Sequence, residues 1–491
     1  MKIPFVGPTY NPVSVNIDCQ RSINWYPEID PVGSKAVVSM IGTPGTELFC
    51  NTGGNVVRGM HAFNGVMFVV ISNKLYSINA AGVMSASLGN LTTFAGRVVM
   101  KDNGVSAAGL GGDQLIIVDG VNGYIYDVST ATFSVIPVVG GFMANPISVD
   151  FIDGYFVAVF FGSMKYAVSD LYDGLVWNAL ATSPVGATPD TLLAVINSHQ
   201  QLWFLKQFNS EVWYDAGIAT SVGSPFMRVA GAVIDFGIVS PWAWCRANNS
   251  LLWMATQRSG DSSELIGVVE LSGYVPTNIT PPAIAYQMSL WGTCSDVFAY
   301  SYSHAGHTFC VFTSPSANQT FVYDTTTQMW HERSVWRGNP YVVGRHHSDH
   351  YCFFNGKHYI SDYRNGNVLE MKETTYTDYN SPSVDPMVSI RQAQHVHDKE
   401  GMLYNVFIHR LQVDIESGVG DPATGSDPQM ALSWSNDGGH TWSSEYSKSM
   451  GKAGEYKKRA IWTRLGVSRD KVFRVMVSDP VKRILLGAYI E

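Results

Sequence analysis

The feature that most constrains this chain is a repeat. A short apolar run, a tight turn and a second apolar run recur from Phe63, Gly111, Ile152, Asn197, Ala247, Ser303 and His347, at intervals of 41 to 56 residues. The stretches "FNGVMFVVISNKLYSIN" and "IDGYFVAVFFGSMKYAVSD" are typical. Asn-Gly or Asp-Gly between two such runs reads as a β-hairpin turn. A period of about 40–50 residues carrying up to four short strands is that of a β-propeller blade. Blades bury their faces against their neighbours, so they come as a set. With some units counted as half-blades, the repeat predicts six or seven blades over residues 51–375. The competing reading is a β-sandwich of unrelated hairpins, and the regular period favours the propeller. Helical periodicity is almost absent, which argues against a parallel α/β sheet. The expected fold class is all-β.

The pattern changes after the repeats. Residues 376–400 are polar and read as a linker or arm. From 401 to 491, "HRLQVDIESGVG", "QMALSWSND", "DKVFRVMVSDP" and "RILLGAYIE" alternate as strands do, predicting an additional antiparallel, β-sandwich-like C-terminal domain. Residues 1–50 form an N-terminal segment, expected either to close the propeller or to contact a partner.

Charge limits the partners. The chain carries a net −8, a poor match for a protein that grips DNA through Lys and Arg. The balance is uneven: residues 431–491 hold 11 Lys/Arg against 6 Asp/Glu, a net +5, which leaves −13 for the rest. Within that basic end, Lys457, Lys458, Arg459, Arg464, Arg469, Lys471 and Arg474 alternate with apolar residues along predicted strands. Three readings stay open for them: a solvated face, a dock for an acidic partner, or a nucleic-acid contact. Six scattered cysteines without a C-x-x-C pair read as buried thiols of a chain folding under reducing conditions. The first residues, "MKIPFVGPTYNP", have no apolar core for a signal peptide, and no apolar run approaches the ~20 residues of a membrane helix. Synthesis in a cytosol, with no membrane span, is therefore expected.

Few motifs carry chemistry. "SNDGGHTW" has the Asp-box pattern, with Ser435, Asp437, Gly439, Thr441 and Trp442 in place. Each residue suits a turn: Asp437 accepts backbone hydrogen bonds, Gly438 and Gly439 tolerate positive φ, and Trp442 packs beneath the hairpin. Asp-boxes are best known from sialidases, and 13 Trp with 24 Tyr would suit glycan binding, so a glycan-binding or sialidase-like propeller is the alternative function. Against it, the single full box lies outside the repeats, "YDGLVW" from Tyr172 to Trp177 is only a loose echo, and no Arg-Ile-Pro occurs. The histidines of "RHHSDH" (His346, His347, His350) and "HVH" (His395, His397) suggest a metal. On one extended strand, however, His346 and His350 would stand about 13 Å apart, too far for one zinc ion. No phosphate loop and no nucleophile elbow is present. No catalytic residue, cofactor or metal ligand is assigned, and the chain is expected not to be an enzyme.

Two stretches resemble a known family. "RSINWYPEIDPVGSKAVVSMIGTPGTELF", Arg21 to Phe49, and the run from "LQVDIESGVG" through "LSWSNDGGHTW" to the final "RILLGAYIE" are similar to the tail nozzle (tail hub) proteins of short-tailed bacteriophages, also called packaged-DNA stabilisation proteins. The C-terminal likeness covers nearly the whole last domain, whereas the middle matches only in repeat style. The resemblance implies a virion component made in the bacterial host cytoplasm. It implies a hexameric tube below the portal and its adaptor ring, with residues 1–50 near that adaptor. Such a tube retains packaged double-stranded DNA and conducts it at ejection without reading its sequence. A needle or plug closes the end, and fibres or tailspikes attach around it. No enzymatic activity is implied.

Overall fold

Two-residue turns set the architecture. In the computed structural model, which describes the chain except residues 33–35, 109–110, 187, 261, 339–340, 381, 399–402 and 423–424, six hairpins turn through residue pairs with positive φ. The pairs are Asn64-Gly65, Asp153-Gly154, His199-Gln200, Asn248-Asn249, Ala305-Gly306 and Asn355-Gly356. This backbone twist matches the right-handed twist of the flanking strands, so each turn fixes its hairpin register. Phe63 faces Val66, Ile152 faces Tyr155 and Phe354 faces Lys357 in consequence.

Seven blades result among the described residues. Six of them span residues 57–90, 99–135, 146–184, 192–234, 237–278 and 298–332. The seventh runs from 348 to 372 and takes its outermost strand, Gly45–Cys50, from the other end of the chain. Second strands such as Val66–Ile71 and Tyr155–Phe160 are apolar almost throughout because each is covered on both faces. Separate cores lie between neighbours: Val70, Leu115 and Ile117 join blades one and two, and Met67, Val69 and Tyr359 join blade seven back to blade one. Among the described residues the one α-helix, Pro282–Ser289, buries Ile284 and Met288 against blades four to six.

A β-sandwich completes the molecule, and it differs from the expected one. Its first sheet pairs Trp25–Ile29, Val38–Gly42, Ile484–Ile490, Arg410–Ile415 and Ala460–Thr463, with Lys2–Ile3 added on Ile484–Ile490. The second runs through Arg21–Ile23, Ser389–Gln392, Val472–Val477, Gln429–Ser435 and Tyr446–Ser449. The domain placed at 401–491 thus draws strands from the chain's first 42 residues. Residues 376–400 are likewise no plain linker. They hold the hairpin Thr377–Asn380/Ser383–Pro386 and the inner strand Ser389–Gln392. Charge misled that reading: Arg391 is fully buried, with its guanidinium hydrogen-bonded to the carbonyls of Phe5 and Pro8. Trp25, Leu411, Leu432, Trp462, Phe473 and Leu485 fill the space between the sheets.

Propeller and sandwich share backbone. Strand Arg21–Ile23 pairs on one edge with Ser389–Gln392 and on the other, in parallel, with Met329–Glu332 of blade six. One nine-stranded sheet therefore crosses from blade to sandwich. Arg21 forms an ion pair with Glu332 across the seam, and the Asn24 side chain donates to the carbonyls of Ser334 and Val388, both at 2.8 Å.

Candidate functional site

The Asp-box closes a hairpin in the sandwich. Strand Gln429–Ser435 delivers Ser435 to the tip, and Gly438 and Gly439 turn the chain at φ of +68° and +101°. Ser435 Oγ donates to Asp437 Oδ1 at 2.6 Å, and the Thr441 N–H donates to the same oxygen at 2.8 Å. Thr441 Oγ1 donates to Asp437 Oδ2 at 2.6 Å. The hydrogen bond from Ser435, then those from Thr441, hold the Asp437 carboxyl well below the usual range. Both carboxylate oxygens are engaged within the turn, which is a poor arrangement for a proton donor or nucleophile. Trp442 is half-buried, with the Arg474 guanidinium 4.1 Å over its ring.

The tip also grips the N-terminal segment. His440 Nε2 lies 3.2 Å from Asn16 Oδ1, and Asp437 bridges to Asp470. Asp470 holds His395 Nδ1 at 2.7 Å, while His395 Nε2 donates to the Val15 carbonyl at 2.8 Å. Hydrogen bonding to Asp470, and then to Cys19, pushes the His395 imidazole up to about 10, so it is a cation with both N–H groups in use.

The basic residues divide. Lys457, Lys458, Arg459, Arg464 and Arg469 are exposed. Lys471 and Arg474 leave this set. Lys471 is 1% exposed and its ammonium donates to the Leu465 carbonyl. Burial lowers it to about 8. Arg474, besides covering Trp442, donates from Nε to Ser433 Oγ at 3.1 Å.

The histidines of "RHHSDH" are buried and apart from any metal-like cluster. His346 Nδ1 meets Ser348 Oγ at 2.8 Å, and His350 Nδ1 meets Ser361 Oγ at 3.2 Å. Burial pushes all three imidazoles down, His350 to about 3, so they are neutral. Among the described residues no three His, Cys, Asp or Glu side chains converge on a metal position. His397 is exposed.

First strands line the propeller axis, and charged side chains cross it. A cavity of about 460 Å³ there is bordered by residues of six blades. Arg97, leading into blade two, reaches Asp349 of blade seven at 3.3 Å and covers Phe298 of blade six at 4.1 Å. Arg246 of blade five reaches Asp150 of blade three at 3.2 Å, and Lys101 of blade two meets the same carboxylate at 2.8 Å. These contacts tie blades two, three, five, six and seven together around the axis. Sequence reasoning missed these residues because the pairs lie 49 to 252 positions apart. It also missed a larger cleft, about 1020 Å³, where blades four, five and six meet around Trp203, Glu270, Tyr274 and Tyr323. The only hint was the abundance of Trp and Tyr.

Comparison with known proteins adds the following. Residues 1–376 match a family profile described as bacteriophage P22 Gp10, β-propeller, and residues 390–491 match one described as bacteriophage P22 Gp10, β-sandwich. No curated protein matches the chain in sequence. Solved structures similar to it include the Neurospora crassa Pan2 WD40 domain, with 8% identity, TM-score 0.41, and 68% of this chain and 97% of that one covered. BamB from Moraxella catarrhalis aligns at 10% identity and TM-score 0.38, covering 72% and 98%.

Proposed function

The chain belongs to the bacteriophage P22 Gp10 family, structural proteins of the phage tail, and on that premise we propose that it is a tail nozzle. In this role six copies form a ring below the portal and its adaptor. The ring retains packaged DNA and conducts it during ejection. A needle or plug closes the far end, and fibres or tailspikes attach outside.

The observation that carries the reading is the sheet shared by propeller and sandwich. A wall element of a pressurised conduit has to hold its shape without a ligand, and continuous backbone pairing between domains serves that need. The crossed axis adds a condition. With Arg97 reaching over Phe298 across it and a cavity of only about 460 Å³ there, DNA passes between subunits and not through a single propeller. An acidic chain suits such a wall, since it repels phosphate and lets the duplex slide. The exposed basic residues 457–459 are the natural dock for an acidic patch on the next subunit of a heterologous ring. A glycosidase role has no comparable support, because the Asp437 carboxylate is engaged inside its turn.

Electron microscopy of purified virions tests the proposal. A six-fold ring of this chain directly below the adaptor is expected. Tails that lack the chain, or contain it only as isolated copies on the outside, would overturn it.

A further inference from the structure

The cleft between blades four, five and six lies at the face that carries the first and third turns of each blade. Trp203 enters it from blade four, Glu270 and Tyr274 from blade five, and Tyr323 and Gln328 from blade six. The Trp203 and Tyr274 rings stand 5.9 Å apart with their planes 31° from parallel. Tyr274 is 44% exposed, and its hydroxyl lies 2.8 Å from Gln201 Nε2, which fixes the ring at the mouth of the cleft.

Below this aromatic wall, polar groups go unused. Glu270 and the Tyr323 hydroxyl, which line the cleft, have no hydrogen-bond or ion-pair partner among the described residues. Burial pushes the Glu270 carboxyl up, and burial together with the Glu270 charge pushes the Tyr323 phenol to about 12. The Glu270 carboxylate and the Tyr323 hydroxyl both line the cleft, so a polar ligand seated there would meet two groups that no other side chain engages.

The wall chemistry selects the ligand. The exposed Tyr274 ring, backed by the buried Trp203, can accept the C–H face of a sugar ring, and a carboxylate and amides such as Gln328 pair with its hydroxyls. Among the described residues no Lys or Arg lines the cleft, so no fixed cation there would neutralise a sialic acid, a uronic acid or a phosphate, and Glu270 would repel each of them. At about 1020 Å³ the space is at the upper end for small-ligand sites, enough for more than one ring. Glycoside cleavage ordinarily uses two carboxyl groups, whereas Glu270 is the one carboxyl among the lining residues. We propose that this cleft binds, without cleaving, a neutral pyranose oligosaccharide. The site goes beyond the nozzle role and does not depend on it.

The test uses the full chain on an array of glucose-, galactose-, mannose- and N-acetylglucosamine-based oligosaccharides, beside a set ending in sialic or uronic acid. At least one neutral glycan is expected to bind. Tyr274→Ala and Glu270→Gln are each expected to weaken that binding about tenfold or more, because a group built to meet a hydroxyl discriminates strongly. Phe353→Ser, exposed on blade seven, is expected to leave it unchanged. Glu270→Gln keeps the side-chain shape and so guards against a folding artefact at Tyr274. Failure of every neutral glycan, a preference for the acidic set, or binding that survives both cleft substitutions would overturn the proposal.

Discussion

Arg391 fastens the N-terminal segment through one buried guanidinium. Nε donates to Phe5 O at 2.7 Å, Nη1 to Pro8 O at 2.9 Å and to Ser22 Oγ at 2.8 Å, and Nη2 to Gln20 Oε1 at 2.6 Å. Burial lowers its pKa to about 9, still cationic at neutral pH. Arg391→Met strips these acceptors of their donor, and a loss of about 3 kcal/mol or more is expected in urea denaturation. The histidines act at opposite ends of the pH scale. His346, His347 and His350 have lowered folded pKa values, so below about pH 6.5 the unfolded chain takes up protons that the folded one refuses. Stability then falls with acid, by up to about 1.4 kcal/mol per pH unit for each. His395 is raised instead. Its contribution is full below the unfolded value near 6.5 and is lost as pH climbs through about 10. Thermal melts across pH should show both limbs, with His395→Gln flattening only the alkaline one. Legibility at this scale follows distance. The hydrogen bonds that close the turn of "SNDGGHTW" on Ser435 and Asp437 lie between residues 435 and 441, so the turn could be read directly, whereas its contacts with Asn16 and Asp470 could not. Lys471 could have been placed correctly too, since the alternation that buries Phe473, Val475 and Val477 puts it on the same side.

Strand Gly45–Cys50 is the element on which the ring depends. It pairs with Val368–Lys372 and gives blade seven its fourth strand. A Cβ on Gly45 would stand 2.5 Å from the carbonyl oxygens of both Thr375 and Thr377, which are backbone and cannot swing aside. Gly45→Ala should therefore cost about 1–3 kcal/mol and speed proteolysis between blades seven and one. The sandwich depends on distant strands in the same way. Residues 390–491 match a family profile alone, but Trp25–Ile29, Val38–Gly42 and Arg21–Ile23 complete its sheets. Expressed by itself, this segment is expected to lack cooperative unfolding and to bind a hydrophobic dye, and co-expression with residues 1–44 should restore a sharp transition. The period of the repeat made the blades legible, because turn and strand are local signals. Pairings such as Ile23 with Ile390, or Gly45 with Lys372, join residues hundreds of positions apart, and no local pattern announces them.

Over the whole molecule, charge and continuity divide the work. The exposed basic residues near 457–459 sit at the end of an otherwise acidic chain. The combined change Lys457→Glu, Lys458→Glu and Arg459→Glu should leave the melting temperature within about 1 °C, as surface changes do. Ring formation at physiological salt should fall at least tenfold, read by native mass spectrometry. The interleaved termini bear on how such a chain is made. Strand Lys2–Ile3 pairs with Ile484–Ile490, and Gly45–Cys50 waits for a partner more than three hundred residues downstream. During translation these early strands leave the ribosome well before the strands they pair with, and so are among the last to find their place. A chain cut short by a stalled ribosome has an open seventh blade and an unfinished sandwich, with bare strand edges a protease can recognise. The fold thus works as an inspection step: a truncated copy cannot pass for a finished one.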